Sequence, residues 1–158
     1  CISGDLIDAS QNGVSEQKAW VGRWLENFKG RIFVCSGNHD VDGSAGASWI
    51  RVPNVYADGD IKTIEGIKFG CVPYMCTDIL DFAECDALLA HVPPAHTQTA
   101  VECGRDFGDK ELYRALKHGL LKAKIILCGH VHDPLSRIDK IGNCKIYNSS
   151  LGLNIIEI

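Results

Sequence analysis

The apolar positions of this chain fall mostly into short runs that end in polar, glycine-bearing turns, and in two stretches the spacing is helical instead. Between Gly13 and Gly30, Val14, Val21, Trp24, Leu25 and Phe28 recur at helical intervals, with Ser15 placed to cap the start and Gly30 the end. Leu112, Tyr113, Leu116 and Leu120 repeat that spacing after Asp109, whose side chain suits an N-cap. Arg31 to Cys35, Ala87 to Ala90 and Lys124 to Cys128 are short apolar runs, the first and last each opening on one basic residue, and too short for helices, so they predict buried strands feeding loops. Ile61 to Ile64 and Ile67 to Val72, joined through Glu65-Gly66, predict a hairpin. Ala95 to Gly108 reads as a polar loop, and Leu135 to Ile158 as strand-like, with a turn at Gly142-Asn143 and a break at Asn148 to Gly152. Strands interleaved with two helices predict an α/β domain of mixed sheets.

Length and composition narrow that picture. A chain of 158 residues, 46% hydrophobic and 23% charged, can bury a core as one soluble domain spanning 1–158. The net charge of −4 and the scattered basic residues give no footprint for nucleic acid. No run of about 18 apolar residues is present to span a membrane, and the first residues lack the pattern of a signal peptide. Nothing in the pattern assigns an oligomeric state. The eight cysteines form no CxxC pair, and several lie inside apolar runs, so they read as free thiols in a reducing cytoplasm. The chain opens Cys-Ile-Ser-Gly-Asp without a methionine, and Cys1 to Ser3 resemble the tail of a buried strand, which predicts a fragment.

The chemistry gathers where apolar runs end. Gly4-Asp5-Leu6-Ile7-Asp8, Gly37-Asn38-His39-Asp40, His91-Val92-Pro93-Pro94 and Gly129-His130-Val131-His132 each follow such a run. Loops at the carboxyl ends of strands in an open α/β sheet converge on one crevice, so the four are predicted to meet. Carboxylate, amide oxygen and imidazole together suit zinc, manganese or iron(II). Each cluster alone has an ordinary reading: a turn after Gly4, a polar loop at Asn38, stiffening prolines after His91. Alternate histidines leaving a buried strand are harder to explain without a ligand or hydrogen bonds. His96 reads as a solvated loop residue, His118 as a polar helix position and Arg105 as a surface ion-pair partner or phosphate contact. Trp20, Trp24 and Trp49 read as packing.

The ordered motifs resemble the calcineurin-like metallophosphoesterase superfamily, whose pattern runs Asp-x-His, Gly-Asp-x-x-Asp, Gly-Asn-His-Asp/Glu, a later histidine and Gly-His-x-His. All but the first are present, and Asn148-Ser149-Ser150-Leu151-Gly152 resembles the family's closing Asn-x-Ser-type turn. The resemblance implies two packed mixed β-sheets flanked by helices. It also implies a phosphodiester or phosphomonoester substrate, hydrolysed by a hydroxide that bridges two divalent ions about 3.5–4 Å apart. In that scheme Asp5 bridges the ions, Asn38, His91 and His130 complete one shell, and His132 belongs to the other. His39 does not ligate; it protonates the leaving group or stabilises the phosphoryl oxygens while Asp40 orients its ring, and Asp8 is a structural partner. With no Asp-x-His segment the domain lacks its N-terminal strand. The chain as it stands is then expected to hold one ion well and to hydrolyse poorly. Loops 42–48 and 95–108 are the places where substrate selection would lie. The competing reading is a non-catalytic interaction scaffold; such proteins commonly lose the histidine that stands here as His39.

Overall fold

A computed structural model describes residues 1–43, 46–150, 152–153 and 155–156. Positions 44 and 45 of the 42–48 loop, Leu151 of the closing turn and the last part of the strand-like reading toward Ile158 lie outside the described residues. In chain order the elements are α1 (Val14–Asn27), β1 (Ile32–Phe33), β2 (Val55–Tyr56), β3 (Ile61–Ile64), β4 (Ile67–Val72) and β5 (Ala87–Ala90). They continue with β6 (Val101–Glu102), β7 (Arg105–Asp106), α2 (Lys110–Lys117), β8 (Ile125–Cys128), β9 (Ile138–Ile141) and β10 (Cys144–Asn148).

Six strands form a mixed sheet in the order β3-β4-β5-β8-β10-β9, with β4, β5, β8 and β10 parallel and β3 and β9 antiparallel at the edges. A smaller parallel pair, β1-β2, is widened by a parallel bridge from Ile2 to Val34. Side-chain alternation assigns the layers. Ile32, Val34 and Val55 pack with Val21 and Leu25 of α1, whereas Phe33 and Cys35 turn inward against Cys71 and Leu89 of the large sheet. On the far face of that sheet Leu88, Ile126 and Ile146 pack with Leu112 and Leu116 of α2. The result is helix, small sheet, large sheet, helix, the arrangement of the calcineurin-like fold. Leu88, Ile126 and Ile146 are fully buried, each contributing about 2 kcal/mol of transfer free energy.

The uniformly apolar strands are those covered on both faces, which is why their sequences do not alternate. The hairpin forms as expected: Glu65 at φ 52 and Gly66 at φ 85 take the two left-handed positions that a tight connection requires. Asp109 caps α2, accepting from the amides of Glu111 and Leu112.

Other expectations need correction. Gly13, not Ser15, is the N-cap of α1, at φ 77 and with no side-chain cap; the helix ends at Asn27, before Gly30. Leu120 lies beyond α2 and is exposed, because Gly119 at φ 67 turns the chain and sends Leu121 into the core instead. The 95–108 segment is not plain loop: it holds one 3₁₀ turn, Gln98–Ala100, and the β6-β7 ribbon, reversed through left-handed Cys103 and Gly104.

Candidate metal centre

The parallel strands point their carboxyl ends one way, and the polar clusters leave from those ends. Ile2, bridged to Val34, leads to Asp5; the strand through Val34 leads to Asn38; β5 leads to His91 and β8 to His130. Two of these candidate ligands sit in the left-handed region, Asp5 at φ 52 and His130 at φ 66. Non-glycine residues hold that conformation only where their surroundings enforce it.

Asn38 Oδ1 lies 3.0 Å from His91 Nε2 and 3.0 Å from His130 Nδ1, and those two ring nitrogens are 3.1 Å apart. Asp5 Oδ2 is 3.4 Å from His91 Nε2. The other nitrogen of His91, Nδ1, donates to the Ser3 carbonyl at 2.6 Å, so in the neutral ring Nε2 has only a lone pair to offer. With neutral rings at most one proton, on His130, remains for the three contacts of the triangle. Lone pairs therefore face each other unless a positive charge sits among them. That charge can be a second proton on His91 or a metal ion, so binding an ion displaces protons. Around a cation with bonds of about 2.0–2.1 Å, neighbouring ligand atoms lie roughly 2.9 Å apart in octahedral and roughly 3.4 Å apart in tetrahedral geometry, a range that spans these spacings. Asp5, His91 and His130 offer ligand atoms all within 4.8 Å of one another. The donor set thus fits a divalent ion.

The electrostatics agree. Burial opposes ionisation of Asp5, but hydrogen bonds from His91 and the His39 amide, with the charge of those rings, outweigh it and hold the carboxyl below its ordinary pKa. Burial, followed by the charge of His91, lowers the pKa of His130 and keeps its ring in the neutral form that binds metals.

His39 is half-buried beside the cluster, on the wall of the groove that Asp5, His91, His130 and His132 also line. The Ala9 amide donates to its Nδ1 at 3.0 Å, so the neutral ring carries its proton on Nε2. The expectation that Asp40 orients this ring is not met. Asp40 is fully buried and its oxygens accept from Leu6 N at 2.9 Å and Gly37 N at 2.8 Å, tying the Asp5 loop to the Asn38 loop. Burial pushes its carboxyl pKa up against those bonds. The carboxylate facing the His39 ring is that of Asp8, whose Oδ1 stands 3.5 Å from Nδ1. His132 is exposed, and its ring stands apart from the Asp5, His91 and His130 cluster.

Several supporting groups escaped the sequence reading. The Ser3 carbonyl, the Ala9 amide and the Tyr74 ring, 5.9 Å from that of His91, carry no motif signal. The Gly-Asp-x-x-Asp motif already marks Asp8 as a structural partner; what it does not show is that the ring Asp8 faces is that of His39. The lesser candidates lie elsewhere. His96 pairs with Asp106 and packs edge-on to Tyr113, Arg105 covers the Phe107 ring, and His118 caps α2. Trp49 donates to the Asp40 carbonyl, while Trp20 and Trp24 are substantially exposed.

A layered α/β fold whose strand ends gather carboxylate, amide and imidazole ligands beside a free histidine defines a metal-dependent phosphoesterase scaffold. The chain belongs to the calcineurin-like phosphoesterase family, whose model matches residues 1–134, and use of divalent metal follows from that membership. No curated protein matches the chain. A solved structure of an archaeal phosphodiesterase aligns over 94% of this chain and 81% of that one, with 16% identity and a TM-score of 0.46, a likeness too low to carry argument. Among the described residues no helix is long and apolar enough to cross a membrane.

Proposed function

We propose that residues 1–158 form a single domain that hydrolyses a small phosphodiester or phosphomonoester with the help of divalent ions. The observation that carries this reading is the triangle of Asn38 Oδ1, His91 Nε2 and His130 Nδ1, closed by the Asp5 carboxylate and flanked by His39. Asp5, Asn38, His91 and His130 hold one ion; Asp5 and His132 are this chain's ligands toward a second. Manganese, zinc and iron(II) all accept this donor set. When bound, such ions neutralise charge on the phosphoryl oxygens and acidify a water molecule.

The chain's own residues do the rest. His39, with its proton fixed on Nε2 by the Ala9 amide, donates that N–H as a hydrogen bond to the phosphoryl or leaving oxygen and so stabilises the charge that develops there, the ring keeping its proton. Asp8 sets its carboxylate against the other edge of the ring, 3.5 Å from Nδ1. Asp40 keeps the two ligand loops in register. Retention of His39, with a carboxylate beside it, supports catalysis over a scaffold role. The free thiols support a reducing compartment, the cytoplasm.

The test is hydrolysis of bis-p-nitrophenyl phosphate and p-nitrophenyl phosphate with manganese in excess. His39→Ala is expected to lower turnover by about 10²–10⁴-fold while metal binding is unchanged. Metal loss as large as that of Asp5→Ala would refute the role given to His39.

A further inference from the structure

We propose that Asn148, in the segment beyond the family match, is a positioning residue that holds His130 in its ligating conformation, an inference resting on the metal-site reading above.

Asn148 ends β10, paired with Cys128 at the end of β8, and is fully buried. Its amide nitrogen donates to the Val131 carbonyl at 3.1 Å and to the Thr99 carbonyl at 2.9 Å, and its oxygen accepts from the Ser150 amide at 2.7 Å. Every polar atom of the side chain is therefore used, and neither a carboxylate nor a hydroxyl can supply both donations.

Val131 lies between His130 and His132. His130, at φ 66, occupies a conformation that a β-carbon disfavours, and an unconstrained chain would leave it. Restraints close on either side of it. Before it, Gly129 donates to the His91 carbonyl at 2.9 Å; after it, Val131 is held through its own amide by Gly129 and through its carbonyl by Asn148. Downstream, Ser150 Oγ donates to the His132 carbonyl. Of these restraints, the bond from Asn148 to Val131 comes from a side chain rigidly fixed in the large sheet. It therefore decides whether Nδ1 of His130 stays near Asn38 and His91.

A residue that merely stabilises the fold and one that positions His130 differ in how their loss combines with loss of His130 itself. Cobalt(II) is titrated into wild type, Asn148→Ala, His130→Ala and the double variant. Affinity and visible absorption are read at a temperature where circular dichroism shows each to be folded. Asn148→Ala is expected to weaken binding by about 10- to 100-fold, the range for groups that orient a ligand, and to reduce the absorption of the bound ion. The double variant is expected to bind within about twofold of His130→Ala alone. Affinity for Asn148→Ala within twofold of wild type, or losses that multiply in the double variant, would overturn the proposal. Equal affinity for wild type and His130→Ala would instead overturn the metal-site reading on which it rests. Should Asn148→Ala not fold, hydrogen exchange in the wild-type chain decides. The Asn148 side-chain protons are expected to exchange as slowly as the β8 amides, and fast exchange would overturn the proposal.

Discussion

Gly4 is the position where a single methyl group should disturb both the fold and the metal centre. It lies at φ +85 in the turn that delivers Asp5, and a β-carbon there would stand 2.6 Å from the Gly37 amide nitrogen and 2.6 Å from Nδ1 of His91. An L-residue forced into the left-handed region costs about 1–2 kcal/mol. Crowding of this kind in a packed region costs a further 1–3 kcal/mol or so. The sum, about 2–5 kcal/mol, is a large part of the stability of an ordinary domain. Each kcal/mol lowers Tm by about 2–4 °C at this size, so Gly4→Ala should melt roughly 4–20 °C below wild type. The clash can be relieved only by moving the Asn38 loop or the His91 ring, whose bond to Ser3 is 2.6 Å long, so metal affinity should fall as well. Gly66→Ala is the matched control: the same φ of +85, but with nothing within 4 Å of the added carbon. It should show the conformational cost alone and leave metal binding untouched. Thermal melts followed by circular dichroism, with cobalt(II) titrations of both variants, make the comparison. The reasoning fails if Gly4→Ala is no worse than Gly66→Ala, or if it loses stability with metal affinity intact.

Burial raises the pKa of Asp58, only partly offset by its bonds from Ser36, one of them from the backbone amide at 2.7 Å. The folded state therefore holds this proton more tightly than the unfolded chain does. Relative to Asp58→Asn, wild type should gain stability as pH falls through the raised value and lose that gain as pH rises; a difference that is flat or opposite in sign, measured by urea melts between pH 4 and 7, would contradict this. Among the thiols, exposed Cys1 and Cys103 should react first with Ellman's reagent. Cys71 and Cys144, buried and pushed up to about 12, should react only on unfolding. Fast labelling of either buried thiol in the native protein would count against the packing described.

The parts of the fold legible in the sequence were those whose cause is local. Ala87–Ala90 reads as a strand because both its faces are covered, the hairpin at Glu65-Gly66 because two successive positions must be left-handed, and the start of α2 because Asp109 can reach its amides. The convergence of the ligand loops was legible too, since parallel strands deliver their ends to one place. What failed depended on distant partners. Asp40 follows His39 in the chain, yet its side chain turns into the interior toward Leu6 and Gly37, and Asp8 comes from another loop to face the ring. Ser15 has the chemistry of a cap, but it lies inside α1, which begins at Val14; the N-cap is Gly13, whose left-handed backbone turns the chain into the helix while Gln17 accepts from the amide of Asp8. The contribution of Asn148 depends on a pairing between β10 and β8 that joins it to Cys128, 20 positions earlier in the chain, for which no local pattern exists.

The central claim is that Asp5, Asn38, His91 and His130 form a metal site and that His39 stands beside it without being a ligand. Elemental analysis after loading with manganese or zinc and gel filtration tests this most directly, on the wild-type chain, His91→Ala and His39→Ala. The expected result is one tightly held ion per chain, lost in His91→Ala and kept in His39→Ala. No bound ion, two tightly held ions, or equal metal content in wild type and His91→Ala would contradict the account.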